Sequence, residues 1–192
     1  MLAHRLAIEE DLPALRALMT RSIGALQREF LNEAEIAASH AVMGLDTQLV
    51  ADRTYFVVEA DGELAGCGGW SRRATLYGGD HSLGVRDAAL LDPGRDAARV
   101  RAMYTDPAFA RRGVGRLILS LAEAAAAAEG YGRVQLMATL AGEPLYRACG
   151  YREIERTVAA VSGGVAVPMV VMSKTLTASR RASLPESQTP PP

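Results

Sequence analysis

Residues 98–130 constrain this chain more than any other stretch, because they read as a strand, a basic loop with two glycines and a long amphipathic helix in direct succession. Val100, Ala102 and Tyr104 alternate with Arg101, Met103 and Thr105, as in a strand with two different faces. The strand ends at Asp106-Pro107. From Val114 onward Leu117, Ile118, Leu121, Ala125 and Ala128 recur at helical spacing, strong helix formers fill the gaps, and Gly130 supplies the stop.

The start of that helix suits an anion. The first backbone N–H groups of a helix have no intrahelical acceptor, and the helix dipole adds partial positive charge there, so a diphosphate can accept several hydrogen bonds at once. Gly113 and Gly115 let a ligand approach the backbone. Arg111, Arg112 and Arg116 crowd the same end, against the usual preference for acidic residues in a first turn, and read either as partners of a bound diphosphate or as a solvated basic loop with a flexible glycine pair. Two rival nucleotide motifs fail on spacing. The chain has no GxxxxGK[ST], and Gly113-Val114-Gly115 is not completed to GxGxxG because Ile118 holds the third position.

Around this unit the sequence predicts a first strand at residues 6–8, a helix opened by Asp11 and Pro13 that buries Leu15, Leu18, Met19 and Ile23, and a second helix from Asn32 towards Met43. Strands at 54–60 and 64–70 flank Asp61-Gly62, a strong two-residue hairpin signal. Residues 72–98 form an irregular stretch, too long for an ordinary connection, that is either functional or a surface insertion. A strand at 134–138, a short helix opened by Pro144 and ended by Gly150, and a hairpin with arms at 157–161 and 165–173 joined through Ser162-Gly163-Gly164 complete the pattern. Pro168 marks an edge position or a bulge. Residues 1–176 are expected to form one domain, and residues 177–192, with almost no apolar side chains to bury, a disordered tail.

The charge balance, 21 Lys plus Arg against 22 Asp plus Glu, lacks the basic excess of a general nucleic-acid binder. No apolar run approaches the ~20 residues needed to span a bilayer, and the N-terminal residues lack the apolar core of a secretory signal, so no membrane association and a cytoplasmic location are expected. Cys67 and Cys149 form neither a CxxC pair nor a metal cluster and read as small buried thiols.

The loop Ala110-Arg111-Arg112-Gly113-Val114-Gly115 resembles the [QR]xxGx[GA] motif of the GNAT superfamily of N-acetyltransferases, with Ala110 where Gln or Arg is usual. A second block, from Thr139 through Leu145-Tyr146 to Gly150-Tyr151, is similar to the family's NxxAxxFYxxxGF, with Thr139, Gly142 and Leu145 replacing commoner residues. The resemblance implies an α/β fold of the α+β type: a mixed, mostly antiparallel sheet flanked by helices and splayed between its fourth and fifth strands, at residues 98–105 and 133–139. It further implies acetyl-CoA as cosubstrate, held by Met103, Tyr104, Thr105, Arg111, Arg112, Gly113, Val114, Gly115, Arg116 and Thr139. No metal is implied.

Acetyl transfer needs a neutral amine, stabilisation of the developing oxyanion and a proton for the departing thiolate. By resemblance Tyr146 is the general acid, and a backbone N–H near Met103 is the oxyanion donor. The strand before Met103 offers Arg99 and Arg101 and no carboxylate base, leaving the base unassigned. Asp80 and His81 are either solvated surface or turned to a substrate, and Phe30, Trp70 and Tyr77 either line an acceptor pocket or belong to the core. The expected partners are a small-molecule or peptide amine and a second copy of the chain, and a non-catalytic acyl-CoA-binding module is the alternative function.

Overall fold

In a computed structural model, residues 1–160 and 164–176 are described and form a seven-stranded sheet of order β1-β2-β3-β4-β5-β7-β6. The strands are β1 (Leu2–Leu6), β2 (Tyr55–Ala60), β3 (Glu63–Ser71), β4 (Ala98–Thr105), β5 (Arg133–Thr139), β6 (Arg152–Ala160) and β7 (Ala166–Thr175). All neighbours are antiparallel except β4 and β5, which run parallel. The expected tail from residue 177, Val161 at the end of the expected hairpin arm, and Ser162 and Gly163 of its turn lie outside the described residues.

Helices cover both faces. On one face lie α1 (Leu12–Leu26), α2 (Glu33–Val42) and α3 (Thr47–Ala51), where Leu15, Leu18 and Leu49 pack on Tyr55, Val57, Cys67 and Tyr104. α2 starts from a capping box in which the Asn32 side chain accepts from the Glu35 N–H while the Glu35 carboxylate accepts from the Asn32 N–H. On the other face α4 (Val114–Ala128) buries Val114, Ile118, Leu119, Ala122 and Ala126, each large side chain contributing about 1.5–3 kcal/mol. Small residues in β3 let α4 settle closely: a Cβ at Gly66 would stand 2.5 Å from Val114 Cγ1. The short helix α5 (Glu143–Ala148) follows β5.

Several boundaries differ from the sequence-based reading for one reason, that polar edge strands are set by their partners. β1 occupies Leu2–Leu6 instead of residues 6–8, paired along its length with β2, and its exposed His4 and Arg5 hid it from an apolar count. β6 begins at Arg152, five residues early, because its charged N-terminal half is paired with β7. β7 is an interior strand, yet Pro168 sits just past Met169, the last residue paired with β5, so its missing N–H breaks no ladder on that side. The Asp61-Gly62 hairpin forms as expected, with φ of 53° and 88° at the two turn residues, as a type I′ turn requires.

The expected strict alternation in β4 is broken. Cys67 pairs with Tyr104 and Gly69 with Arg101, so two residues, Ala102 and Met103, face Gly68 alone. This is a β-bulge, and Ala102 at its centre has φ of 50°. The extra residue puts Val100 against α4 and Tyr104 against α1, on opposite faces instead of the shared one expected.

Candidate functional site

β4 and β5 pair only through Ala98↔Val134 and Arg99↔Gln135 and then part. Beyond Arg99 the β5-facing edge of β4 has no strand partner among the described residues. The gap is a cleft of about 100 Å³, whose walls include Met103, Tyr104, Met137, Thr139 and Tyr146. Its outer wall comes from the α2–α3 loop at Gly44 and from Leu76, Tyr77 and Gly78 of the long 72–97 connection.

The turn expected to hold an anion lies between the end of β4 and α4. Asp106, 7% exposed, accepts from the Ala108 N–H at 3.0 Å and from Arg21 of α1 at 2.6 and 2.9 Å, which fixes the chain as it leaves the strand. Arg111 and Gly113 both take left-handed φ, 64° and 86°, and the loop turns into α4 with Gly113 as a cap that offers no side chain. Among the described residues the Val114, Gly115 and Arg116 amides have no acceptor, as a helix start open to an anion requires. The Arg111, Arg112 and Arg116 side chains are exposed around it, with the Arg112 guanidinium 5.0 Å from the Phe109 ring centroid. Val114 differs from its neighbours, since its side chain is core and only its backbone faces the turn.

Gly115 joins this turn to the second sequence block. A Cβ there would lie 2.9 Å from Leu145 Cδ2 and 3.6 Å from Thr105 Oγ1, so α4, α5 and the end of β4 meet over a missing side chain. Tyr146, 8% exposed, packs edge-to-face on Tyr151 at 5.7 Å, and its ring lies against Gly142, where a Cβ would approach Cε2 to 3.0 Å. Among the described residues its hydroxyl has no hydrogen-bond partner, and burial raises its pKa above the ordinary phenol value, keeping the proton on at neutral pH. Thr139 lines the cleft, but its hydroxyl accepts from the Gly142 N–H at 3.1 Å and so also shapes the entry to α5.

Other candidates separate. Tyr77 lines the cleft, whereas Trp70 is 2% exposed in the core against Tyr131, and Phe30 is 43% exposed on the surface, so neither forms a pocket wall. Asp80 accepts from the Thr47 amide and hydroxyl at 3.0 Å each, and His81 Nε2 meets the Ala41 carbonyl at 3.0 Å, so both fasten the 72–97 connection to the α2–α3 region. Cys67 is buried, Cys149 is half-buried, and both are free thiols.

The sequence reading missed how Arg101 and Tyr104 hold the outer wall. Arg101 Nη1 donates to the Thr75 carbonyl at 2.9 Å, and its Nη2 to the Gly78 carbonyl at 2.8 Å and to Asp46 Oδ2 at 2.9 Å. Tyr104 Oη accepts from the Gly44 N–H at 2.8 Å. A buried arginine cannot be told from a surface one by type, although the N-cap pattern Asp46-Thr47 did mark the missed helix α3. On the other side of Arg101 a polar cavity of about 360 Å³ is lined by Arg73, Arg86 and Asp46. These pair with Asp52, Asp46 and Arg101 respectively.

The model of the acetyltransferase (GNAT) family matches residues 21–151. The fold is similar to a GCN5-related N-acetyltransferase from Rhodopseudomonas palustris (19% identity, 91% of this chain and 95% of that chain covered, TM-score 0.66). It is also similar to the PaiA N-acetyltransferase from Thermoplasma acidophilum, solved in complex with coenzyme A (14% identity, 91% and 99% covered, TM-score 0.60). A third likeness is to the ribosomal-protein-S18-alanine N-acetyltransferase from Escherichia coli (16% identity, 96% and 99% covered, TM-score 0.56). No curated protein matches the sequence.

Proposed function

The chain belongs to the acetyltransferase (GNAT) family, and on that premise we propose that it transfers the acetyl group of acetyl-CoA to a primary amine by direct attack in a ternary complex. The observation that carries this reading is the parting of β4 and β5 beside the open start of α4. A diphosphate at the unsatisfied amides of Val114, Gly115 and Arg116, with Arg111, Arg112 and Arg116 around it, leaves the pantetheine arm to run along the unpaired edge of Met103, Tyr104 and Thr105, past Thr139. The relative solved with coenzyme A supports the fit.

In this reading the Met103 N–H stabilises the oxygen of the thioester carbonyl as negative charge develops there. The amine nitrogen forms the new C–N bond while the C–S bond breaks. Tyr146 gives its phenolic proton to the departing sulfur, and the proton that the amine releases passes through water to the Tyr146 phenolate, which restores the side chain and leaves no net charge. The products are an acetamide and the free CoA thiol. Among the described residues the cleft wall carries no carboxylate, in keeping with a proton that leaves through solvent.

The test is thermal unfolding with and without acetyl-CoA, for wild type and for Arg112→Ala combined with Gly113→Asp. At about 100 Kd of ligand the wild type should gain about 2.7 kcal/mol, a shift of several degrees. The double variant should lose that gain, because it removes a cation and sets a carboxylate where the diphosphate binds. A folded wild type that acetyl-CoA does not stabilise would refute the proposal. Stabilisation without thiol release across an amine panel would leave only the acyl-CoA-binding module.

A further inference from the structure

The β4 bulge is held by a residue that no family motif marks. Tyr55, 1% exposed on β2, reaches across β3 on the α1 face, and its Oη donates to the Ala102 carbonyl at 2.7 Å. Ala102 is the residue with φ of 50°, a conformation that non-glycine residues adopt only where the surroundings impose it. Its side chain packs with the α1-side cluster, while the next residue, Met103, packs with the α4-side clusters. Opposite the bulge, Gly68 leaves room for this reversal: a Cβ there would stand 2.8 Å from Met103 Cγ and 3.0 Å from Met103 Cα.

The carbonyl and the amide of one trans peptide unit point in opposite directions. A hydroxyl that anchors the Ala102 oxygen from the α1 face therefore turns the Met103 N–H of the same unit away from that face. We propose that Tyr55 is a positioning residue for acetyl transfer, whose hydroxyl locks the Ala102–Met103 peptide so that the Met103 N–H is aimed at the thioester carbonyl. This rests on the acetyl-CoA reading above and adds to it the side chain that sets the donor's direction. Neighbouring backbone donors in a regular strand lie in the sheet plane, where ladder partners take them, so a donor turned out of the plane needs a bulge, and this bulge needs an anchor.

The test requires no acceptor amine. Acetyl-CoA labelled with ¹³C at the carbonyl is bound to the full chain, and the infrared carbonyl band is compared with its position in buffer, alongside calorimetric Kd values for acetyl-CoA and for CoA. In the wild type the band moves to lower frequency on binding. In Tyr55→Phe it returns towards the position in buffer, and acetyl-CoA loses about three- to tenfold in affinity relative to CoA, as removal of one hydrogen bond to the ligand predicts. CoA itself binds as before, because the diphosphate turn is untouched. If Tyr55→Phe does not fold, the same comparison is made between Ala102→Gly and Ala102→Gly with Tyr55→Phe, where glycine removes the cost of positive φ. A variant that keeps both the wild-type band and the wild-type affinity ratio overturns the role of Tyr55. A wild type that binds CoA but leaves the band unmoved overturns it too, by showing that no donor meets the carbonyl, and a wild type that binds neither ligand refutes the acetyl-CoA reading itself.

Discussion

Arg101 and Asp46 meet at 2.9 Å with side chains only 2% and 4% exposed, an ion pair sealed between β4 and the start of α3. Through it the strand that borders the cleft is tied to the two segments that wall the cleft from outside. Removing one partner leaves the other charge buried. Asp46→Ala is therefore expected to cost about 3–5 kcal/mol, measured by urea unfolding. Arg101→Met should cost less, since Asp46 keeps Arg86 at 2.6 Å. Equal, small losses in the two variants would mean that the pair is not sealed from water.

The hydroxyl of Tyr146 supports no hydrogen bond among the described residues, so its removal should spare the fold and the binding of acetyl-CoA. Tyr146→Phe is expected to lower kcat about 10²- to 10⁴-fold with little change in the KM for acetyl-CoA, followed by thiol release with any amine that proves to be accepted. An unchanged kcat would assign thiolate protonation to solvent.

Glycines in this chain divide by what surrounds them. A Cβ at Gly69 would lie 2.1 Å from the Thr54 carbonyl oxygen, a backbone atom that cannot move aside, whereas Gly24 in α1 has nothing within 4 Å. Gly69→Ala should destabilise by more than about 3 kcal/mol through overpacking. Gly24→Ala should stabilise by about 0.5–1 kcal/mol through helix propensity. Thermal denaturation of the two single variants checks both signs.

Burial raises the pKa of Tyr55, Tyr104, Tyr146 and Tyr151 above the ordinary phenol value and pushes the Cys67 thiol up to about 12. The folded chain thus keeps protons that the unfolded chain releases. Stability from these groups is complete below about pH 8.5, falls first as the unfolded thiol ionises, and falls more steeply above about pH 10 as unfolded tyrosines do, by about 1.4 kcal/mol per pH unit for each group. Urea midpoints across the alkaline range, with phenolate absorbance as a second readout, should show the decline beginning before the native tyrosines ionise. Phenolate from any of these four side chains in the native state near pH 10, read in a Tyr77→Phe background, would contradict the burial.

Much of the site was legible in order along the chain. The strand, glycine turn and helix at residues 98–130 carry their own local signals, periodicity and turn chemistry, and they form where those signals placed them. The Tyr146 block likewise lies where a proline opened and a glycine closed a short helix. The hold of Arg101 on the cleft wall and the hydrogen bond from Tyr55 to Ala102 were not legible, because an arginine reads as surface and a tyrosine as core until the elements they touch are known. For Trp70 the sequence left a pocket and the core both open, and the packing takes the core.

Local sequence by itself determined α1, α2, α4 and α5, the Asp61-Gly62 hairpin and the open amide turn before α4, since each depends on the conformational preferences of residues close together in the chain. Only the tertiary structure decided that β4 leaves β5 after two pairs, that a bulge at Ala102 reverses the faces of the strand, and that Asp46, Thr75 and Gly78 converge on Arg101. Those features follow from contacts between residues far apart in the chain, where register, burial and the balance of a charge against its desolvation exist only once the sheet is assembled.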